Sequence, residues 1–202
     1  MIEAGDDPAT ASRAGPVSPL KPIVEPGRNC WRIERAARAS VVVDAADYYH
    51  FIREAMEQAE RRILLIGWDF DTRISLEPRP TGSGKTLGDF LLDLARVKPA
   101  RKIDILKWNF GALKQLLRPS ALAMLYRWHR TRAITFKFDS AHPKGCSHHQ
   151  KIVVIDDCFA VCGGIDTSTA RWDTRDHLDD DPHRRLPNGK PYAPWHDVTM
   201  LM

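Results

Sequence analysis

From position 47 onward the chain alternates two hydrophobic periods. Tyr48, Ile52, Ala55, Met56 and Ala59 recur at the 3.6-residue spacing of one helical face, which predicts a core-facing helix. The run ILLIGWDFD, residues 63–71, is short and apolar, and its length suits a buried strand. A second helix, TLGDFLLDLARV (86–97), and a second strand, KIDILKW (102–108), repeat the alternation. A helical stretch over 121–130 precedes ITFKF (134–138), and KIVVID (151–156) and FAVCGG (159–164) follow. Helices alternating with apolar strands predict an α/β fold, a mixed β-sheet layered between helices. The last residues, HDVTMLM, alternate Val198, Met200 and Met202 as a strand that buries those three side chains. A domain seldom stops on such a strand, so truncation at the C-terminus is expected.

Residues 1–27 include five prolines among small and polar side chains, a composition that cannot offset the entropy of ordering, and predict a flexible leader. Residues 28–202 are expected to form one domain, and 43% hydrophobic with 28% charged residues is ordinary globular composition. The formal charge of +4 favours anionic partners without choosing among them. No basic patch with interleaved aromatics gives a clear nucleic-acid signature. Acids at the N-terminus and the lack of a long apolar run leave no visible secretory signal or membrane span, so a cytoplasmic or peripheral-membrane location is expected.

Cys30, Cys146, Cys158 and Cys162 form no paired C-x-x-C units and are read as buried or idle thiols. Cys146, His148 and His149 are ligand types, but no second pair follows at zinc spacing, and no metal or cofactor is expected. GSGKT at 82–86 resembles a P-loop end, yet Arg79 stands where the Walker glycine belongs and prolines interrupt the strand position, which predicts a surface loop. Residues 171–194 are polar, charged and proline-bearing, a solvated loop by composition.

The candidate chemistry lies in HQKIVVIDDCFAVCGGID, residues 149–166. His149 and Lys151, two apart on a predicted strand, share a face and can meet one anion, while His148 points the other way in a packing or surface role. Asp156 follows at the strand end, and Gly163 with Gly164 lets backbone approach a ligand.

The spacing H-x-K, four residues, D, six residues, G-G resembles the signature of the phospholipase D superfamily. GGID with RWD (171–173) is similar to its phospholipid-acting branch, and the upstream elements and PWHDV (194–198) resemble the first catalytic half of bacterial phospholipase D-like proteins. The resemblance implies that His149 is the nucleophile or the general acid, with the nucleophile preferred, and that Lys151 holds nonbridging phosphate oxygens. It implies that Asp156 orders the motif, that Gly163, Gly164, Asp166 and Arg171 line the substrate site, and that Asp197 orients His149. Arg171, Trp172 and Asp173 either shape the entrance or tie down their loop. Neutral imidazole can attack phosphorus near neutral pH, and imidazolium can protonate the leaving alcohol.

One histidine cannot do both on opposite sides of one phosphate. The implied activity, a metal-independent phosphodiesterase or phosphatidyl transferase acting on phospholipids at a membrane surface through a phosphohistidine, therefore needs a second motif. That motif comes from a second half of a longer protein or from a homodimer. The alternatives are a homodimeric nuclease and an inactive half that only binds phosphate groups or a partner.

Overall fold

The computed structural model describes residues 22–79, 84–108, 119–143 and 145–202. The predicted leader lies outside the described residues as far as position 21, as do Gly82 and Ser83 of the P-loop-like stretch. The chain divides into two units, Met1–Ala36 and Ala37–Met202. In the first, a turn closes on a Pro26–Cys30 bridge, with the Glu25 N–H donating to Asn29 Oδ1 at 2.7 Å.

The second unit runs β1 (Ser40–Val43), α1 (Ala45–Gln58), β2 (Arg62–Gly67), α2 (Leu87–Val97), β3 (Lys102–Trp108), α3 (Pro119–His129), β4 (Ile134–Asp139), β5 (Lys151–Ile155), β6 (Phe159–Gly163) and β7 (Val198–Leu201). Local chemistry sets several boundaries. Thr86 starts α2 by accepting the Asp89 N–H at 3.2 Å while its hydroxyl donates to Asp89 Oδ2 at 2.8 Å, a reciprocal N-terminal cap. The strand predicted over 63–71 is β2, which ends at Gly67 rather than at position 71. A Cβ on Gly67 would lie 2.9 Å from the Asp69 carbonyl oxygen, closer than a side chain can approach, which favours glycine there.

The seven strands are ordered β1-β7-β6-β5-β2-β3-β4, with β2, β3 and β4 mutually parallel and the remaining pairs antiparallel. This is the expected α/β class with a mixed sheet. Ile63, Leu65, Ile103, Ile105, Val153, Ile155 and Val161 project from one face and join Tyr48, Ile52 and Met56 of α1, Leu87, Leu91 and Leu94 of α2, and Trp128 of α3 in one core. All three described helices thus pack on the same face, rather than on both. On the other face Leu64, Ile66, Leu106, Ile152 and Val154 are only half-buried, and Cys162 and Met200 are exposed.

The reading of the last strand is reversed. Val198, Met200 and Met202 are 45%, 42% and 39% exposed, and Thr199 is the buried residue. The strand sits between β1 and β6, with Thr199 opposite Gly163, whose missing side chain leaves room for it. All four cysteines are free thiols, Cys30 half-buried and Cys146, Cys158 and Cys162 exposed. Among the described residues no helix is long and apolar enough to cross a membrane.

Candidate active site

One end of the sheet gathers the polar chemistry. Gly67 at the end of β2 is in register with Lys151 of β5 on one side and with Lys107 of β3 on the other. Strands lie about 4.8 Å apart, so the two lysine backbones are roughly 10 Å apart with a residue lacking a side chain between them. Both lysines belong to the core-facing register, where Ile103, Ile105 and Val153 are the neighbouring positions.

His149 precedes β5 rather than lying on it, yet it remains beside Lys151, with Nε2 3.0 Å from Lys151 Nζ. An ammonium can only donate, so Nε2 accepts, and the proton of neutral His149 is on Nδ1. The imidazole is solvent-exposed and stands edge-on to Trp68, with ring centroids 5.4 Å apart. Lys151 also meets Asp166 Oδ2 at 3.3 Å. Asp166 is buried, and its desolvation pushes the carboxyl above its ordinary range against the opposing pull of Lys151. The Tyr49 hydroxyl donates to the Asp166 carbonyl at 2.6 Å and fixes the backbone there. The result is a solvent-exposed imidazole in contact with a cation whose other flank is held by a buried acid.

Lys107, passed over in the sequence, is the second cation. Its side chain is 2% exposed, Nζ lies 2.6 Å from Asp69 Oδ1, and it donates to the Phe70 carbonyl at 3.3 Å. The available signal was a lysine in phase with Ile103 and Ile105, at a position where charge is costly unless paired. Trp108 stacks on Trp68 at 5.7 Å and donates its indole N–H to His142 Nε2 at 3.0 Å. His148, expected to pack or face solvent, pairs through Nδ1 with Asp139 and stands edge-on to His142. This pairing keeps Asp139 ionised below the ordinary carboxyl range, with the His148 hydrogen bond as the main cause.

Other predicted residues fall elsewhere. Asp156 is not with His149 and Lys151 but beyond the opposite end of β5, five residues or roughly 16 Å along the strand. There its carboxylate accepts the N–H groups of Glu60, Arg61 and Arg62 at 2.7, 2.7 and 2.8 Å. Gly163 and Gly164 pack closely against the segment that enters β7. A Cβ at 163 would lie 2.5 Å from Thr199 Cβ, and one at 164 would lie 2.7 Å from Asp197 Cγ. Asp197 is therefore at the same end of the sheet, but Oδ1 accepts the Val198 N–H at 2.8 Å, and no hydrogen bond joins Asp197 to His149 among the described residues. Arg171 lies over the Trp195 ring at 4.1 Å and its charge lowers the Asp166 carboxyl, which keeps it electrostatically coupled to the site.

The 171–194 segment forms no helix or strand and is largely exposed, as expected of a loop, but a few buried charged groups anchor it. Asp173 is fully buried, meeting Arg184 at 3.2 Å and accepting the Trp195 N–H at 2.8 Å, and Arg184 and Asp181 are buried as well. Asp173 therefore ties the segment down. A cavity of ≈ 360 Å³ is walled by Ser168 and Thr169, just after Asp166 in the chain, and by Tyr49, Arg73, Trp172 and Arg185; His149, Lys151 and Asp166 are not in its lining. Its mixture of aromatic walls and guanidinium groups suits a ligand with apolar and anionic parts.

No family model matches the chain. It is 26% identical over 188 residues to phospholipase D C of Dictyostelium discoideum, covering 79% of this chain and 11% of that protein. It is 30% identical over 156 residues to phospholipase D B of the same organism, covering 75% and 12%. The chain thus spans only 11–12% of the length of these relatives. Among solved structures it is similar to a phosphatidylserine synthase from Haemophilus influenzae, with a TM-score of 0.51 and 11% identity over 81% of this chain and 34% of the other, a likeness of fold.

Proposed function

Because the chain belongs to the phospholipase D superfamily, we propose that it supplies one half of a phosphodiesterase or phosphatidyl transferase site, with His149 as the nucleophile. The observation that carries this reading is the contact of His149 Nε2 with Lys151 Nζ at 3.0 Å, in an exposed position backed by buried Asp166. A phosphodiester replacing the Lys151–His149 contact would place a nonbridging oxygen on the ammonium and phosphorus in front of the nitrogen lone pair. Attack forms the N–P bond while the P–O bond to the leaving alcohol breaks. The proton for that alkoxide comes from a histidine of a second motif, worth roughly 10²–10⁴-fold. Water or an alcohol then takes the phosphoryl group from His149.

The roles of the other residues follow their placement. Asp166 holds Lys151 in position, Arg171 adds positive potential behind it, and Asp156, Gly163, Gly164 and Asp197 keep the strands that carry the site in register. The cavity lined by Tyr49, Arg73, Trp172 and Arg185 would receive part of a phospholipid presented at a membrane surface.

A diester with a p-nitrophenolate leaving group tests the nucleophile, because that group departs without an acid and bypasses the second histidine. The expected result is stoichiometric nitrophenolate release with a phosphoryl adduct on His149, both lost in His149→Ala. A folded chain that yields neither, or an adduct that survives the substitution, overturns the reading. Labelled phosphatidylcholine with a primary alcohol then tests the substrate class. Phosphatidyl-alcohol from the unaltered chain and not from His149→Ala means that two copies complete a site on phospholipid. DNA cleavage lost in His149→Ala, without phosphatidyl-alcohol, overturns the phospholipid assignment.

A further inference from the structure

We propose that Asp44, His177 and His196 form a binding site for a divalent transition metal of the zinc type, separate from the phosphodiester site and independent of the reading given to it. Ligand atoms of these three residues lie within 4.8 Å of one another, the one such group among the described residues. They come from three segments: the start of α1, the 171–194 segment and the lead into β7.

Asp44 occupies the N-cap position of α1 but makes no side-chain cap to that helix. Its backbone is held in the left-handed region at φ 66°, a strain that turns the carboxylate toward the two histidines instead. The residue is 1% exposed, Oδ1 lies 2.8 Å from His196 Nδ1 and accepts the Asp197 N–H at 3.1 Å, and buried Oδ2 has no hydrogen-bond partner. That orphaned oxygen lies 3.2 Å from His177 Nε2. An acid at an N-cap that declines to cap, and leaves one buried oxygen open, is arranged for another cation.

His177 is prepared from behind. Its Nδ1 lies 2.9 Å from Asp173 Oδ2, and Asp173 is in turn held by Arg184 and the Trp195 N–H. A carboxylate on Nδ1 keeps the proton there, so the Nε2 lone pair faces Asp44, the arrangement in which metal-bound histidines are oriented. When His177 is neutral, its lone pair opposes the carboxylate oxygen 3.2 Å away, and either a proton on Nε2 or a metal ion between the two removes that repulsion. Zinc bonds of about 2.0–2.2 Å set tetrahedral ligand edges of roughly 3.3 Å, close to the 3.2 Å found here. Two imidazoles and one carboxylate select zinc-like ions over magnesium or calcium. The side chains of His196 and His177 are 64% and 30% exposed, which leaves a fourth position open to water.

The metal would brace the edge beside the phosphodiester site, because the Asp44 N–H donates to the Asp197 carbonyl at 2.8 Å and Asp197 abuts Gly164. Zinc chloride is titrated calorimetrically into the metal-stripped chain, with cobalt(II) absorption as a second readout because the four cysteines are competing ligands. One zinc per chain is expected, with a cobalt spectrum free of thiolate charge transfer. Affinity is expected to fall at least tenfold, roughly the least that such sites lose, in exposed-site variant His196→Ala and in His177→Gln, and to stay unchanged in His149→Ala. No binding by the folded chain, binding that survives His196→Ala and His177→Gln, or a thiolate band overturns the proposal. Absence of binding with intact His149 labelling would leave the phosphodiesterase reading standing.

Discussion

Replacing Asp156 separates structural work from chemistry within the motif. Its Oδ1 accepts the N–H groups of Arg61 and Arg62 and its Oδ2 that of Glu60, so one carboxylate closes the turn between α1 and β2. The residue holds φ 53°, a conformation that Asp, Asn and Gly tolerate best. Hydrogen bonds to a charged acceptor contribute about 1.5–3 kcal/mol each when well shielded, and partial exposure here brings each to roughly 1 kcal/mol. Asp156→Ala should therefore cost about 3 kcal/mol, and it adds backbone strain. Asp156→Asn keeps the Oδ1 acceptor but turns an amide donor toward the Glu60 N–H, costing about 1–2 kcal/mol.

The N–H groups of Glu60, then Arg62 and Arg61, hold the Asp156 carboxyl below its ordinary range. A lowered folded pKa means stability that is present above the unfolded value of about 3.9 and is lost as pH falls through the folded value. Urea unfolding at pH 7 and through the acid limb should show the ordering unaltered, Asn, Ala, with the acid-dependent part reduced in both variants. His149 labelling per folded molecule should stay within a few-fold of the unaltered chain. Asp156→Asn with unchanged urea midpoint and abolished labelling would refute the structural assignment and put Asp156 in the chemistry.

Lys107→Met removes the buried partner of Asp69 and should destabilise the chain by about 2–3 kcal/mol, below the ~3–5 of a fully buried pair because the Asp69 side chain is 35% exposed; adding Asp69→Asn should recover part of the urea midpoint, and an unchanged midpoint in the single variant would refute the pairing. Met200→Lys, on the open face of the sheet, should change stability by no more than ~0.5 kcal/mol. Thr199→Leu, opposite Gly163, should cost about 1–3 kcal/mol by overpacking, and the reverse order of these two effects in thermal unfolding would refute the register of β7.

The alternation of helical and strand periods, and the type and approximate bounds of every described helix and strand from α1 onward, were legible because each depends on side chains close in sequence. So was the motif that joins His149 to Lys151, since two residues of extended chain put both on one side. What the sequence could not determine is what meets each end of a strand. A strand between His149 and Asp156 already puts the two at opposite ends, but only strand pairing makes the backbone of residues 60–62 the partner of Asp156. Nor does alternation reveal which phase faces the core. Val198, Met200 and Met202 are the apolar phase of β7, but the packing of Thr199 against Gly163 turns them outward.

Lys107 joins the site, and Asp44, His177 and His196 meet, only because strand order and three crossing segments bring together residues up to 152 positions apart. Composition and period arise from local interactions, which a sequence carries in full. Adjacency across a sheet is set by the order in which strands pair, and that order is decided when one core is shared by all of them.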